Sequence, residues 1–425
     1  MVKYWTPLVH LGTNIANFVL LLDLQKGAMI LTVIKEVLSY IFGFCFFFKS
    51  RPHSATIEPS SCLLPKDVLI EIFLRLPPHP TCLLRQGNRE FLRRFCSSHR
   101  TSVLGVFTNS TSVPRFLPIG KPPFRVATTA FSLPDLHWQV LGCRHSRVLL
   151  VSSTWKELLV WNPMNGNKHI VPAAPAADPR YNYGCVPENN AAVFCADGHS
   201  NQSEIDTCQF FIVWVFTCTQ YVYACRYSSE TGSWDTMSSS PVPSEVDSRP
   251  SILIRNVLYW PLKSKYILAF EMATHRLYHI ECPSDTHDIY RRNVHIIITE
   301  DGGLGLAAVT KFILRLWSWE TDDGGVTGWV LRKTIDLRKF LPVEMSSSPS
   351  ADNQLAKRPP VRILGLVEDD DLVFIWTIIG VFAVQLGSMQ FTKVFETNVC
   401  ATIYPYTGFF IAGAVGSDRK DVGAE

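Results

Sequence analysis

The chain has 425 residues, which is enough for two or three domains of roughly 100–200 residues each. Apolar residues make up 47% of it and charged residues 18%, a balance that is typical of a globular protein with a large core and that excludes general disorder. The net charge of +3 is too small to indicate nucleic-acid binding, so we expect no nucleic-acid partner.

The 12 cysteines are scattered irregularly, and no two of them form a C-x-x-C pair. That spacing argues against a zinc ribbon and against a thioredoxin motif. In a chain of this length it predicts reduced, buried thiols and a location in the cytoplasm or the nucleus.

Residues 1–55 are a hydrophobic leader whose role the sequence leaves open. Residues 30–48, ILTVIKEVLSYIFGFCFFF, contain 12 Ile, Leu, Val or Phe side chains among 19 positions. These side chains favour membrane insertion by about as much free energy as Lys35 and Glu36 oppose it. The stretch is therefore a membrane anchor, an interfacial or self-packed helix, or a leader without a structural role. If it is an anchor, the basic residues just after it keep the rest of the protein in the cytosol.

A short apolar helix between prolines is predicted in LLPKDVLIEIFLRLPPHP, residues 63–80. Pro65 suits the first helical position, where its missing N–H costs nothing, and Asp67 is favourable near the helix N-terminus. Apolar side chains recur at helical spacing and form one stripe: Val68, Leu69, Ile72, Phe73 and Leu76. The Pro77-Pro78 pair ends the helix. Its apolar surface needs either a core or a partner, and these residues alone do not decide between an ordinary core helix and a docking surface.

The same positions resemble the opening of the F-box, the helical module through which substrate receptors bind the Skp-family adaptor of cullin–RING ubiquitin ligases. The matching residues are Leu64, Pro65, Asp67, Leu69, Ile72, Phe73, Leu76 and Pro77. The resemblance implies that these residues contact the adaptor and that the cullin complex is reached only through it.

The F-box resemblance spans residues 64–95, within a segment that we place at residues 60–100. TCLLR, residues 81–85, resembles the start of the family's second helix, and EFLRRF, residues 90–95, resembles the end of the module. The middle, with its Val-Cys-Lys-x-Trp-like stretch, is missing between them. A buried aromatic anchor is commonly worth about 2 kcal/mol or more in an interface. We therefore expect a truncated F-box with a weakened adaptor contact.

From residue 101 to residue 415, short β-branched and aromatic runs alternate with Gly, Pro, Asn, Asp and Ser turns. Five hairpins are predicted, with turns at Gly166, Gly232, Thr274, Gly325 and Gly387. Repeats of about 40–50 residues with one hairpin each indicate a β-propeller, in which every blade is a small antiparallel sheet.

A sixth blade is predicted from the two ends of this region. VLGVFTN, residues 103–109, and nearby strands supply part of it, and ATIYPYTGFFIA, residues 401–412, supplies a closing strand. A closed ring needs such a strand because exposed sheet edges invite aggregation. The predicted fold is therefore mainly β with a small α module: a short helical F-box-like segment, a β-propeller-like domain and a polar tail at residues 416–425.

Several stretches of this region resemble the C-terminal domain of F-box proteins common in grasses. They are FTNSTSVPRFLP, LGCRHSRVLL, LLVWNPMNG and YPYTGFF, which begin at residues 107, 141, 158 and 404. The resemblance implies that the propeller-like domain recognises a protein substrate, whose identity the sequence does not give.

Two short patterns imitate ligand sites. Gly303-x-Gly305-x-x-Ala308 has the spacing of a dinucleotide fingerprint, but the following residues predict two strands instead of a helix, so a tight blade turn is the better interpretation. His275 and His279 are four residues apart, as zinc ligands on a helix are, but they fall in a predicted hairpin.

Two charged clusters favour structural roles. Glu368, Asp369, Asp370 and Asp371 lie between predicted strands and indicate a solvated turn, with a cation site as the weaker alternative. Arg93, Arg94 and Arg100 are too few for a nucleic-acid surface and are more typical of a capped helix end.

These observations predict no enzyme, with no catalytic residues, cofactor or metal. The resemblance implies the substrate-receptor subunit of a cullin–RING ubiquitin ligase, which holds a substrate near a ubiquitin-loaded enzyme. One alternative is a propeller-fold binding protein whose degenerate F-box no longer engages the ligase. Another is a propeller enzyme, which a cluster of acids, histidines or cysteines at the ring mouth would favour.

Overall fold

The computed structural model describes residues 102–109, 113–119, 126, 128–133, 137–174, 188–195, 209–218, 220–341, 359–368, 370–396 and 402–408. The predicted leader, the F-box-like segment at residues 60–100 and the polar tail lie outside these residues. All eight predicted adaptor-binding residues therefore stay predictions: Leu64, Pro65, Asp67, Leu69, Ile72, Phe73, Leu76 and Pro77.

The described residues form six antiparallel sheets, which are the blades of a β-propeller. The chain begins with β1 (Ser102–Thr108) and β2 (Arg115–Pro118) of blade 1. Blade 2 consists of β3 (Trp138–Arg144), β4 (Arg147–Ser152), β5 (Glu157–Trp161) and β6 (Lys168–Pro172). Blade 3 consists of β7 (Glu188–Cys195), β8 (Phe210–Cys218) and β9 (Tyr221–Ser228), with the short β10 (Ser233–Trp234) and β11 (Ser238–Pro241) both paired to β9.

Blades 4 to 6 are four-stranded meanders. Blade 4 consists of β12 (Ile252–Ile254), β13 (Val257–Pro261), β14 (Tyr266–Glu271) and β15 (Arg276–Glu281). Blade 5 consists of β16 (Val294–Ile298), β17 (Leu304–Thr310), β18 (Ile313–Thr321) and β19 (Thr327–Asp336). Blade 6 consists of β20 (Val361–Leu366), β21 (Leu372–Thr377), β22 (Gly380–Gln385) and β23 (Gln390–Phe395), after which β24 (Ile403–Gly408) returns to blade 1.

The only helical turns among the described residues are short 3-10 turns, at Thr128–Phe131, Ser284–Thr286, Arg291–Asn293 and Leu337–Lys339. The mainly β class is therefore confirmed for the propeller. In the same residues no helix is long and apolar enough to cross a membrane. The apolar stretch at residues 30–48 lies outside them.

The inner strands of the blades are apolar along their whole length because neighbouring blades cover both faces of each sheet. In FFIVWVFTC of β8, every side chain but Phe211 is buried. Six clusters of buried side chains fill the six contacts between neighbouring blades. One of them joins Val106 and Ile403 of blade 1 to Phe374 and Trp376 of blade 6. The ring of blades is therefore closed.

The five predicted hairpins are confirmed as the third and fourth strands of blades 2 to 6. Gly166, Gly232 and Gly325 have φ angles of 79°, 63° and 80°, which glycine adopts without the steric cost of a Cβ atom. The predicted turn at Gly303 also lies between two strands, β16 and β17, and confirms the blade-turn interpretation.

The seam of the ring joins the two ends of the propeller. β1 pairs with β24 in antiparallel register, from Ser102 opposite Gly408 to Phe107 opposite Tyr404. The predicted sixth blade and its C-terminal closing strand are therefore confirmed. Because the sheet order is β2-β1-β24, the C-terminal strand is the innermost strand of blade 1.

The cysteines follow the predicted pattern in part. Cys195, Cys225 and Cys282 are free and buried, and Cys143 is free and partly buried. Cys218 is disulfide-bonded, so the prediction of reduced thiols is wrong at this position. Sequence spacing does not show which sulfur atoms the fold brings together.

Candidate functional site: the central channel and its mouth

The innermost strand of each blade lines a central channel: β24, β3, β7, β12, β16 and β20. We call the end at which these strands begin, and at which the chain passes from blade to blade, the loop end. The opposite end is the turn end. The channel encloses a cavity of about 70 Å³, room for only a few waters since each needs roughly 10–15 Å³. Ligand pockets typically measure about 300–1,000 Å³, so the channel is not a small-molecule site.

Arg144, at the end of β3, ties four blades together across the turn end of the channel. Its guanidinium donates to the Val193 carbonyl of blade 3 at 3.0 Å and to the Ser251 carbonyl before β12 at 3.1 Å. It also forms a two-pronged ion pair with Glu368 of blade 6, with Nε 2.7 Å from Oε2. The side chains of Arg144 and Glu368 are only 7% and 18% exposed, so this pair is largely shielded from solvent.

Glu368 corrects the interpretation of the acidic cluster. The segment is a turn between β20 and β21, as predicted, but the Glu368 side chain points into the channel instead of into solvent. Asp370 accepts a hydrogen bond from the Gln385 amide at 3.0 Å, and Asp371 lines a cavity of about 360 Å³ between blades 5 and 6. Asp369 lies outside the described residues. Glu368 and Asp370 line that cavity as well, so Glu368 differs from the other two described acids in its ion pair with Arg144.

His145 follows Arg144 at the turn end and is held as a neutral imidazole. Its Nδ1 accepts a hydrogen bond from the Cys195 backbone N–H at 3.2 Å. Burial and then the nearby charges of Arg144 and Arg147 together lower the pKa of His145 from its ordinary value to about 4. The turn end of the channel therefore carries no extra positive charge from this histidine at neutral pH.

Two buried asparagines connect neighbouring blades at the loop end. Asn190 of β7 donates to the Asp247 and Arg249 carbonyls, both at 2.7 Å. Asn293, just before β16, donates to the Val361 carbonyl of blade 6 at 3.0 Å and to the Val309 carbonyl at 3.1 Å. Each amide satisfies two backbone acceptors where the chain passes between blades.

Asp247 and Arg249 form a buried ion pair beside these amides, with Arg249 Nη2 3.3 Å from Asp247 Oδ2. Arg291 Nε approaches the same carboxylate at 3.5 Å. Burial alone raises the pKa of the Asp247 carboxyl, but the two arginines and the hydrogen bonds from Arg249 together hold it below its ordinary value. Asp247 is therefore ionised at neutral pH.

The loop-end mouth of the channel is basic. Arg249, Arg292, His295 and Arg362 line one small cavity of about 10 Å³ there. Burial and then the charge of Arg249 lower the pKa of His295 to about 3. The His295 ring hydrogen-bonds through Nε2 to the Arg292 carbonyl at 2.9 Å, which makes Nε2 the protonated nitrogen of a neutral ring. The positive charge of the mouth therefore comes from its arginines.

A second cavity of about 280 Å³ opens beside the mouth, between blades 4 and 5. Arg249 lines both cavities. The second has basic side chains such as Lys263 and Lys265 and an apolar wall that includes Ile267 and Ile296. The second cavity therefore suits a partly apolar side chain of a ligand that also places an anionic group at the mouth.

Four residues of the channel were not predicted from the sequence: Arg144, Asp247, Arg249 and Asn293. Their only signal is a charged or amide side chain at the boundary of an apolar strand, which is also common at exposed strand ends. His275 and His279 lie in the β14–β15 hairpin, as predicted. Among the described residues, no three His, Cys, Asp or Glu side chains lie close enough together to hold a metal ion.

A family comparison agrees with this architecture. Residues 139–410 match the family described as "F-box protein AT5G49610-like, beta-propeller". The match covers more than half of the chain and runs from β3 through β24. The chain therefore belongs to this family of F-box protein propellers.

Solved structures match the chain only with low TM-scores. A chain of the crystal structure of the mitotic checkpoint complex is 10% identical over 59% of this chain and 62% of its own length, with a TM-score of 0.31. BBS1N in complex with ARL6DN is 10% identical over 71% of this chain and 76% of its own, with a TM-score of 0.32. The chain thus spans less than two thirds of the first of these relatives. No curated protein sequence matches the chain significantly.

Proposed function

We propose that the protein is the substrate-receptor subunit of a cullin–RING ubiquitin ligase, of the grass-type F-box class. The observation that carries the proposal is a propeller of an F-box protein family, at residues 139–410, preceded by the F-box-like residues 64–77. In this role the propeller holds a protein substrate, and the F-box-like segment contacts a Skp-family adaptor that links it to the cullin. The protein acts in the cytoplasm or nucleus by proximity and performs no bond chemistry itself.

The contacts of the channel support a binding role over an enzymatic one. The buried acids are already paired, Glu368 with Arg144 and Asp247 with Arg249. His295 is bonded to a backbone carbonyl, and the channel cavity is only about 70 Å³. A propeller enzyme needs an accessible acid, base or nucleophile beside a substrate-sized cavity.

Co-purification of the full-length chain with a Skp-type adaptor tests the receptor function. We expect the wild type to retain the adaptor and Phe73→Ala to lose it, because Phe73 belongs to the apolar stripe that resembles the adaptor-binding helix. Phe340→Ala is the matched control, since Phe340 is an exposed aromatic residue of the propeller. Thermal unfolding of both variants checks that the propeller stays folded. Equal adaptor recovery from wild type and Phe73→Ala would contradict the proposal.

The shortened F-box-like segment favours one second candidate. Without the family's middle stretch and its Trp, the protein is a propeller-fold binding module that no longer engages the ligase. Failure of the wild-type chain to retain the adaptor, together with a folded propeller, supports this second function.

A further inference from the structure

We propose that the loop-end mouth of the channel binds an oxyanion, a carboxylate or phosphoryl group carried by a polypeptide partner. Three arginines and a neutral histidine converge on the cavity of about 10 Å³ at this mouth: Arg249, Arg292, Arg362 and His295. The cavity has room for roughly one water-sized atom, so it suits the oxygen of an anion whose remainder lies outside. A planar guanidinium with several N–H donors is well matched to a carboxylate or phosphoryl group.

The guanidinium of Arg249 is incompletely satisfied. Its Nη1 donates to the Val294 carbonyl and its Nη2 contacts Asp247, but its buried Nε has no hydrogen-bond partner. Arg249 is only 5% exposed, so this N–H is shut away from bulk water. A buried donor without an acceptor is costly, and an oxygen in the adjoining cavity relieves that cost.

The lining of the mouth is also basic, with three arginines and no acidic side chain among its described residues. The Asp247 carboxylate forms ion pairs with both Arg249 and Arg291. Arg292 is exposed, and its guanidinium has no hydrogen bond or ion pair to any residue that the structure describes. Arg362 lies with its guanidinium carbon 5.3 Å from the centre of the Trp376 ring, which holds its charge next to the cavity. An incoming anion therefore meets the exposed charge of Arg292 next to Arg249, which shares the Asp247 carboxylate with Arg291.

The neighbouring cavity indicates why the anion belongs to a polypeptide. It measures about 280 Å³, shares Arg249 with the mouth, and has apolar walls that include Ile267 and Ile289. An acidic or phosphorylated residue in the mouth places a neighbouring apolar side chain within reach of this cavity. The polypeptide source rests on the receptor function proposed above, whereas the oxyanion site does not.

Thermal unfolding of the full-length chain tests the site without the adaptor. Inorganic phosphate and sodium acetate are titrated at constant ionic strength against chloride, and a ligand that binds the folded state raises the Tm with concentration. We expect phosphate, acetate or both to raise the Tm beyond chloride, and the stronger of the two identifies the oxyanion. Because the site test uses no adaptor, loss of adaptor binding leaves its result unchanged.

Arg292→Gln is the informative variant because the side chain is exposed and its loss does not disturb a buried pair. We expect the apparent Kd to weaken by at least about tenfold, as is usual for loss of a charged hydrogen bond. Lys339→Gln removes an equal charge from an exposed position in another loop-end segment and should leave the Kd unchanged. The proposal is overturned if neither oxyanion exceeds chloride, or if Arg292→Gln responds as the wild type does.

Discussion

At the scale of single residues, Arg144 has the most demanding position in the propeller. One guanidinium satisfies acceptors of blades 3 and 4 and a carboxylate of blade 6, from a strand of blade 2. Ion pairs of this kind are costly to desolvate, so they hold together only when every donor and acceptor finds a partner. The geometry at Arg144 meets this condition and fixes the spacing of the inner strands.

Arg144→Ala should therefore destabilise the propeller strongly. Loss of one partner of a buried pair costs about 3–5 kcal/mol, and here the shielded carboxylate of Glu368 loses its two-pronged ion pair with Arg144. Urea unfolding followed by circular dichroism measures the change. Arg332→Ala is the control, since its ion pair with Glu320 is exposed and should matter little. Equal midpoints for the two variants would show that Arg144 has no such role.

His145 makes the stability of the protein depend on pH in a defined direction. Its pKa in the folded protein is about 4, against an ordinary value of 6.5. Between these values the unfolded chain binds a proton that the folded chain does not. The contribution of His145 to the free energy of unfolding should therefore fall as pH drops from 6.5 to 4, by up to about 1.4 kcal/mol per pH unit, and should change no further below pH 4.

The variant His145→Asn should flatten this pH dependence. Asparagine tolerates the φ angle of 50° at this position, and its amide oxygen can accept the Cys195 N–H in place of the imidazole. Urea unfolding at several pH values between 4 and 7 compares the slopes of variant and wild type. Part of the slope should remain, because His295 also has a lowered pKa, of about 3. An unchanged slope would rule out His145 as its source.

At the scale of elements, β24 carries more structure than its length of six residues suggests. It pairs with β1 and also contacts β3 and β20, the first strands of the two neighbouring blades. The aromatic side chain of Tyr406 is fully buried, and its hydroxyl donates to the Ser146 carbonyl of blade 2 at 3.0 Å. The single strand β24 thus completes the sheet of blade 1 and takes part in its contacts with blades 2 and 6.

Deletion of residues 401–425 should open the ring. The loss of β24 exposes the edge of β1 and the apolar faces of blades 2 and 6, so we expect aggregation or rapid proteolysis. Deletion of residues 409–425 alone leaves all 24 described strands and is the matched control. Limited proteolysis and thermal unfolding measure both. A soluble 401–425 deletion that melts cooperatively would argue against closure by the C-terminal strand.

At the scale of the whole molecule, stability depends on all six contacts between blades. In a closed ring every blade packs against two neighbours, so a change at one contact affects the spacing of the others. The contact between blades 6 and 1 includes a close backbone approach at Gly365. A Cβ atom there would lie 2.7 Å from the Ile403 carbonyl oxygen, closer than two such atoms can approach. Glycine at this position lets β20 and β24 lie side by side.

Gly365→Ala should therefore push blades 6 and 1 apart. We expect a loss of about 1–3 kcal/mol in the free energy of unfolding, the usual range for overpacking. Gly328→Ala is the matched control, since a Cβ atom at Gly328 meets nothing within 4 Å. Chemical denaturation of the full chain compares the two. If Gly365→Ala is as stable as Gly328→Ala, blades 6 and 1 are not closely packed at this point.

The hairpins and the ring closure were predictable from the sequence because their signals are local. A glycine with positive φ between two apolar runs, as at Gly166 or Gly325, marks a hairpin wherever the chain goes afterwards. The repeat of these hairpins at about 40–50 residues indicated a β-propeller. The need to close the ring then assigned residues 401–412 to the first blade.

Only the tertiary structure determines which charged side chains meet in the channel. Arg144 and Glu368 are 224 positions apart, and neither shows in the sequence that its charge is buried opposite the other. Glu368 was expected in a solvated turn, because a run of acids between strands usually faces water. Its burial follows from the closed ring, which brings the first strands of blades 2 and 6, one on either side of blade 1, to the same narrow channel. The arginines at the loop-end mouth lie near the starts of the first strands of blades 4, 5 and 6, and packing of these blades brings them to one cavity.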